Sequence, residues 1–186
     1  MGRLGFIYDQ TRCLGCNACQ MACKDKHNLE AGMFFRRVDT IGYNQNGNMG
    51  WMHVSGTCSH CAEAACVKEC PTGAMDYMPD GTVGHKRGMC IGCGICTWVC
   101  PYGAPKLSHR RGIAMKCDSC ADARKEGYKP VCVEACLTHC LDFRDLDEIS
   151  GSERDNYVST LECLPDAAQT APSLLIRTKT GKEEQK

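Results

Sequence analysis

A chain of 186 residues has room for one domain, or for two small ones sharing an interface. Its 22 basic residues balance 22 acidic ones, which excludes nucleic acid and an anionic membrane surface as partners recruited by charge. Cysteine is the outlying count at 18, against 4 phenylalanines and 2 tryptophans, so the apolar core is thin and calls for metal crosslinks or inorganic fill.

The opening nine residues, MGRLGFIYD, hold no apolar run of signal-peptide length and no twin arginine. Phe6 stands where a myristoylation signal wants Ser or Thr. No stretch approaches the ~18–20 apolar residues of a membrane span. The chain is therefore expected to carry no export signal of its own, to be soluble, and to reach a membrane only through a partner. Residues 4–9 predict a strand that leads into a first cysteine group, Cys13, Cys16, Cys19 and Cys23, spaced C-x2-C-x2-C-x3-C. A second group follows, Cys58, Cys61, Cys66 and Cys70, spaced C-x2-C-x4-C-x3-C and followed by Pro71. Asp80-Gly81 marks a turn, and residues 82–85 predict a short strand. The third group, Cys90, Cys93, Cys96 and Cys100, repeats the first spacing and is followed by Pro101. The fourth, Cys117, Cys120, Cys132 and Cys136, has C-x2-C-x11-C-x3-C spacing, with a short helix expected over 121–126 and a turn at Gly127-Tyr128-Lys129-Pro130. Strands are expected at 141–143 and, as an edge strand, at 173–180, and the polar tail 181–186 is expected to be disordered. Cys140 and Cys163 are left over.

Thiolates two residues apart wrap a tight loop around three irons of a cubane, and Gly15, Gly92 and Gly94 let such a loop approach the sulfides. The fourth cysteine points away; in two-cluster ferredoxins it ligates the other cluster, and the proline after it belongs to that signature. Disulfides fit triplets at this spacing poorly. Zinc sites use C-x2-C pairs but rarely C-x2-C-x2-C-x3-C-P. Iron–sulfur clusters remain.

The second and third groups, joined by a short turn-linked segment, have the layout of a small ferredoxin. Exchange of fourth ligands gives one cluster on Cys58, Cys61, Cys66 and Cys100 and another on Cys90, Cys93, Cys96 and Cys70. By elimination the outer groups exchange too: Cys13, Cys16 and Cys19 with Cys136, and Cys117, Cys120 and Cys132 with Cys23. The expected fold is α+β, two interleaved bacterial-ferredoxin-like halves with long loops. Residues 54–105 form the inner half, 1–53 plus 106–150 the outer half, and 151–186 a C-terminal extension. Fully ligated cubanes move single electrons, and neither a Ser/His/Asp arrangement nor a phosphate-binding glycine loop is visible, so no catalytic residue is expected. Cys140 and Cys163 read as small buried side chains, His60 as packing or bonding a sulfur, and Trp98 as packing over a cluster. Lys24, Lys68, Lys106 and Lys116 flank the motifs and either raise cluster potentials or sit solvated at the surface.

The segments RCLGCNACQMACKD (12–25), CSHCAEAACVKECPTGAM (58–75), CIGCGICTWVCPYGAP (90–105) and KCDSCADARKEGYKPVCVEAC (116–136), with LDF at 141–143 and a weaker echo in TAPSLLI (170–176), resemble the iron–sulfur subunits of the dimethyl sulfoxide reductase family. The resemblance implies four 4Fe-4S clusters and a partner, a catalytic subunit with a molybdenum or tungsten bis-pterin centre. It further implies electron flow to or from a quinone-reactive membrane anchor subunit or another carrier. By the same analogy the cluster on Cys13, Cys16, Cys19 and Cys136 lies nearest the catalytic subunit, and that on Cys90, Cys93, Cys96 and Cys70 lies at the far end. Cys93 stands where nitrate reductases carry a tryptophan and a three-iron cluster, so four irons are expected here. The family precedent implies cluster insertion in the cytoplasm and folded export alongside a twin-arginine partner. A free-standing polyferredoxin shuttle is the alternative; such shuttles tend to be acidic, and this chain is neutral. Two departures from the family pattern are Leu137 in place of the proline after Cys136, and a cysteine at 140.

Overall fold

In the computed structural model, residues 2–45 and 47–179 are described. The described elements are, in chain order, β1 (Leu4–Asp9), α1 (Ala18–Lys26), β2 (Arg37–Gln45), β3 (Asn48–Gly56), α2 (Ala65–Lys68), β4 (Met75–Tyr77), β5 (Val83–His85), α3 (Ile95–Val99), β6 (Lys106–Ser108), β7 (Ile113–Met115), α4 (Ala121–Lys125), α5 (Val131–Glu134), β8 (Leu141–Asp145), α6 (Gly151–Arg154) and β9 (Leu174–Arg177). Small sheets and short helices in this mixture are α+β, as expected.

β1 is the centre of a three-stranded sheet. β8 lies antiparallel on one side, with Phe6 opposite Phe143, and β9 parallel on the other, with Phe6 opposite Leu174. Both faces of β1 are covered. Phe6 and Tyr8 enter the main core with Phe35, Val54, Leu141 and seven cysteines, while Ile7 meets Leu146, Ile149 and Leu175 on the other face. The seven thiols in the main core are Cys19, Cys23, Cys58, Cys117, Cys132, Cys136 and Cys140. A second core gathers Cys61, Cys66 and Cys96 around Met75, Val83 and Ala114. Cysteine thus takes the place that bulkier apolar residues hold in an ordinary domain.

The expected strand at 141–143 extends to Asp145, that at 82–85 starts at Val83, and the expected edge strand contracts to Leu174–Arg177, at the edge beside β1. The helix expected over 121–126 ends at Lys125. Thr180 and the tail 181–186 lie outside the described residues. The β2–β3 hairpin was not anticipated, although its strands are the longest described. Its base is buried at Val54 and Ser55, and its far end exposes Met49 and Trp51.

Four of the six α-helices described carry cysteines of these groups. α1 carries Cys19 and Cys23, α2 carries Cys66, α3 carries Cys96 and α5 carries Cys132. α1 packs on α5, and α2 packs on α3. No helix among the described residues is long and apolar enough to cross a membrane.

Candidate iron–sulfur centres

One backbone feature recurs in all four cysteine groups. The residue just before the second cysteine is left-handed: Gly15 at φ 66°, His60 at 44°, Gly92 at 71° and Ser119 at 55°. A left-handed residue in so short a loop reverses the chain and turns peptide N–H groups toward one centre, the arrangement that cradles anions. Two of the four are not glycine, so the residue letters show only half of the recurrence. A second turn follows the fourth cysteine of the second, third and fourth groups. Gly73, Gly103 and His139 are left-handed, and their N–H groups donate to the carbonyls of Cys70, Cys100 and Cys136 at 3.2, 3.0 and 3.1 Å. Leu137 therefore follows the same path as Pro71 and Pro101, and the missing proline changes no ligand position.

Cys13, Cys16, Cys19 and Cys136 line one small cavity, together with Cys140. Cys70, Cys90, Cys93 and Cys96 line another. The other eight are close neighbours in two sets. Cys66 lies within electrostatic reach of Cys58, Cys100 and Cys61, and Cys23 within reach of Cys132 and Cys120. Cys117 neighbours Cys23 and Cys132, and across the set boundary Cys58. Cys16 and Cys93 are exposed, whereas the other fourteen are buried or half-buried. A cavity of about 390 Å³ lies off these groups; its walls include Phe6, Tyr8, Phe35, Arg36 and Tyr102, and of the sixteen it touches Cys58 alone.

Burial, with like-charge neighbours adding, pushes the Cys23 and Cys66 thiols up to about 12 and those of Cys61, Cys96 and Cys120 up to about 11. These thiols stay protonated until a metal displaces the proton. Cys13 is instead lowered to about 5, chiefly by a hydrogen bond from Cys140 and then by one from Tyr8.

The interior also carries positive charge that waits for a counterpart. Among the described residues the buried charged side chains are Arg36 and Lys116, at 1 % and 5 % exposure, and neither meets a carboxylate. A buried cation without a counter-charge costs several kcal/mol. Clusters held by four thiolates are net anions, so the donor set and its surroundings fit 4Fe-4S clusters.

Cys140 is buried, as expected, but it is not inert packing. Its Sγ lies 3.4 Å from Cys136 Sγ, and its N–H donates to that sulfur at 3.3 Å. It stands four residues after Cys136, as Ala74 stands after Cys70 and Ala104 after Cys100. A thiol stands where those groups have a methyl, beside the sulfur of Cys136. Hydrogen bonds to ligand sulfur favour the reduced cluster. Cys140→Ala is expected to keep the full iron content and to lower the potential of one cluster alone, read by potentiometric EPR. An unchanged set of potentials would remove this role.

Several other expectations are now located. Trp98 is 87 % exposed on α3, so little of the protein itself covers it. Cys163 is exposed rather than buried. His60 is buried against Phe6 and Phe143, and its Nδ1 accepts from the Val83 N–H at 3.1 Å; burial, then Lys116 and Arg124, hold it neutral. Of the flanking lysines, Lys24 clamps the Glu30 and Met33 carbonyls, Lys68 pairs with Glu63 and Lys106 is exposed. Lys116 alone reaches a cysteine sulfur, that of Cys58 at 3.6 Å. Arg36 and Ser55 escaped the sequence reading, because their place depends on the unforeseen β2–β3 hairpin.

Comparison with known proteins agrees with this chemistry. Residues 49–146 match the family described as the 4Fe-4S dicluster domain. The chain is 40 % identical over 181 residues to the B subunit of anaerobic dimethyl sulfoxide reductase from Escherichia coli (strain K12), covering 93 % of this chain and 87 % of that one. It is 36 % identical over 182 residues to the thiosulfate reductase electron transfer subunit PhsB of Salmonella typhi, covering 95 % and 93 %. It is 34 % identical over 170 residues to the formate dehydrogenase iron-sulfur subunit of Wolinella succinogenes, covering 80 % and 84 %. The cofactors are 4Fe-4S clusters, and the role is electron transfer rather than catalysis. With the loops, the thiol groups and these relatives in agreement, the chain belongs to the 4Fe-4S dicluster family of iron–sulfur subunits that includes the B subunit of anaerobic dimethyl sulfoxide reductase.

Proposed function

We propose that the chain is the wiring subunit of a molybdenum or tungsten bis-pterin oxidoreductase, with four 4Fe-4S clusters in a row between the catalytic subunit and a quinone-linked membrane subunit or other carrier. Cys13, Cys16, Cys19 and Cys136 hold the first cluster. Cys23, Cys117, Cys120 and Cys132 hold the second, Cys58, Cys61, Cys66 and Cys100 the third, and Cys70, Cys90, Cys93 and Cys96 the fourth. The observation that carries this assignment is the grouping of the thiols, with two quartets each lining one cavity.

Helix geometry supports the exchange of fourth ligands. Cys19 and Cys23 sit about one turn, ~5.4 Å, apart on α1, so the helix hands one thiol to each of two adjacent clusters. α5 does the same in reverse with Cys132 and, just past its end, Cys136. α2 and α3 repeat the arrangement with Cys66 and Cys70, and with Cys96 and Cys100. The packing of α1 on α5 and of α2 on α3 supports two interleaved ferredoxin-like halves, with residues 54–105 as the inner half, 1–53 plus 106–150 as the outer, and 151–186 as an extension.

When bound, the clusters supply one-electron oxidation and reduction. The chain's own residues fix the irons, exclude water from the middle of the row and leave its ends approachable. Leu14 beside Cys13, Leu137 beside Cys136 and Cys16 itself are exposed at one end, and Ile91 beside Cys90, Trp98 within the third motif and Cys93 itself are exposed at the other. Apolar surface around the outermost thiols suits docking at both ends of a relay. The first end takes the catalytic subunit and the fourth the electron partner. Export of the folded chain alongside a twin-arginine partner would place the complex at the outer face of the membrane.

The ligand exchange is open to a direct test. Cys70→Ser and Cys93→Ser are expected to alter the same EPR signal, and Cys66→Ser a different one. If Cys70→Ser and Cys66→Ser altered one signal together, each quartet would hold its own cluster and the assignment would fail.

A further inference from the structure

We propose that Arg36 and Lys116 are internal counter-charges, one at the junction of the first and second clusters and one at the junction of the second and third, that raise the potentials of those three clusters and leave the fourth without one. The inference rests on the cluster assignment above.

The geometry at each junction is specific. Arg36 Nη1 donates to the Ser55 carbonyl at 3.1 Å and to Ser55 Oγ at 3.0 Å, and Ser55 Oγ in turn lies 3.6 Å from Cys19 Sγ, a ligand of the first cluster. The guanidinium stacks over the Phe6 ring at 4.6 Å, which holds it in place. Its Nε and Nη2 are buried and donate to no protein acceptor. Cys132 and Cys117, ligands of the second cluster, are its neighbours together with Cys19. Lys116 Nζ donates to the carbonyls of Val83 and Cys117, the latter at 2.7 Å, and reaches Cys58 Sγ, a ligand of the third cluster, at 3.6 Å. It therefore stands between a second-cluster ligand and a third-cluster ligand. The fourth group differs: neither cation lines the cavity of Cys70, Cys90, Cys93 and Cys96, and neither hydrogen-bonds any of those four cysteines.

The physical consequence follows from Coulomb attraction in a poorly solvated interior. Reduction adds one electron, and so one negative charge, to a cluster. A fixed cation within a few ångströms favours that state more strongly than it would in water. At Arg36 the charge is permanent, since guanidinium keeps it at all ordinary pH.

The test is potentiometric EPR on the purified complex with Lys116→Met, Lys116→Arg, Arg36→Met and Arg36→Lys. Lys116→Met is expected to shift the second and third clusters toward the oxidised form at fixed potential, and Arg36→Met the first and second. The expected shift is at least tenfold in the oxidised-to-reduced ratio, 59 mV for one electron. The fourth cluster stays put, and the charge-keeping variants stay with the wild type. If a Met variant fails to assemble, Lys116→Gln and Arg36→Gln carry the same expectation. Failure of every neutral variant with assembly of the charged ones supports the counter-charges. Four unmoved potentials, equal shifts in the charge-keeping variants, or failure of both classes overturns the inference. The wild type is the control for the assignment itself: four separate one-electron titrations there keep a failed variant result confined to Arg36 and Lys116, whereas fewer than four would overturn the cluster assignment and with it the inference.

Discussion

Gly92→Ala is expected to cost the chain one cluster, with iron falling from about sixteen to about twelve atoms and the other three EPR signals intact. Gly92 sits at φ 71°, a conformation that costs a residue with a Cβ ~1–3 kcal/mol, and a Cβ there would lie 2.2 Å from the Gly112 carbonyl oxygen. That oxygen is backbone, so the loop between Cys90 and Cys93 has to open. Gly112→Ala separates strain from collision. Gly112 is also left-handed, at φ 67°, but nothing lies within 4 Å of its added Cβ. It should lose ~1–2 kcal/mol of stability and keep all its iron. Equal iron in the two variants would show that the close approach of loop 90–93 to Gly112 does not hold the cluster.

The metal-free chain, prepared with chelator and reductant, is expected to lose its remaining circular-dichroism signal as pH rises from about 8.5 toward 12, while the iron-loaded chain keeps its spectrum. The sign follows from the buried thiols. Cys23 and Cys66 are pushed up to about 12, and Cys61, Cys96 and Cys120 to about 11, by burial first and neighbouring thiols second. Unfolded cysteine ionises near ~8.5. A folded value above the unfolded one gives stability that is complete below ~8.5 and is lost as pH climbs through 11 to 12. Each thiol that stays protonated in the folded chain steepens this loss, less so where it is partly exposed, and a whole domain is stabilised by only ~5–15 kcal/mol. Cys13, lowered to about 5, acts in the opposite sense but only below ~8.5, so it offers no relief in the alkaline range. In the iron-loaded chain the same thiols are already thiolates, and protons compete with iron only on the acid side. Superimposable pH profiles with and without iron would mean that these thiols are not the metal's ligands.

The cysteine groups were legible because their chemistry lies in local spacing: three thiols on one loop, then one on the next helical turn. The strands at 4–9 and 141–145 were legible for a related reason, since short apolar runs bounded by cysteine loops have little else to become. The β2–β3 hairpin was missed even though an Asn-Gly pair at 46–47 is a strong hairpin signal; cysteine spacing says nothing about a segment that holds no cysteine. Arg36 was lost with it, because a buried arginine has no local signature and its partners lie far along the chain. The left-handed residue before each second cysteine was half legible: Gly15 and Gly92 announced it, while His60 and Ser119 adopt it without a glycine's freedom.

The central claim, a four-cluster relay serving a pterin enzyme, is tested most directly by counting metals in the anaerobically purified tagged chain and whatever accompanies it. The account predicts about sixteen irons or more per chain, together with molybdenum or tungsten in a co-purifying subunit. Zinc in place of iron, or iron well below that count in a fully folded chain, would contradict it.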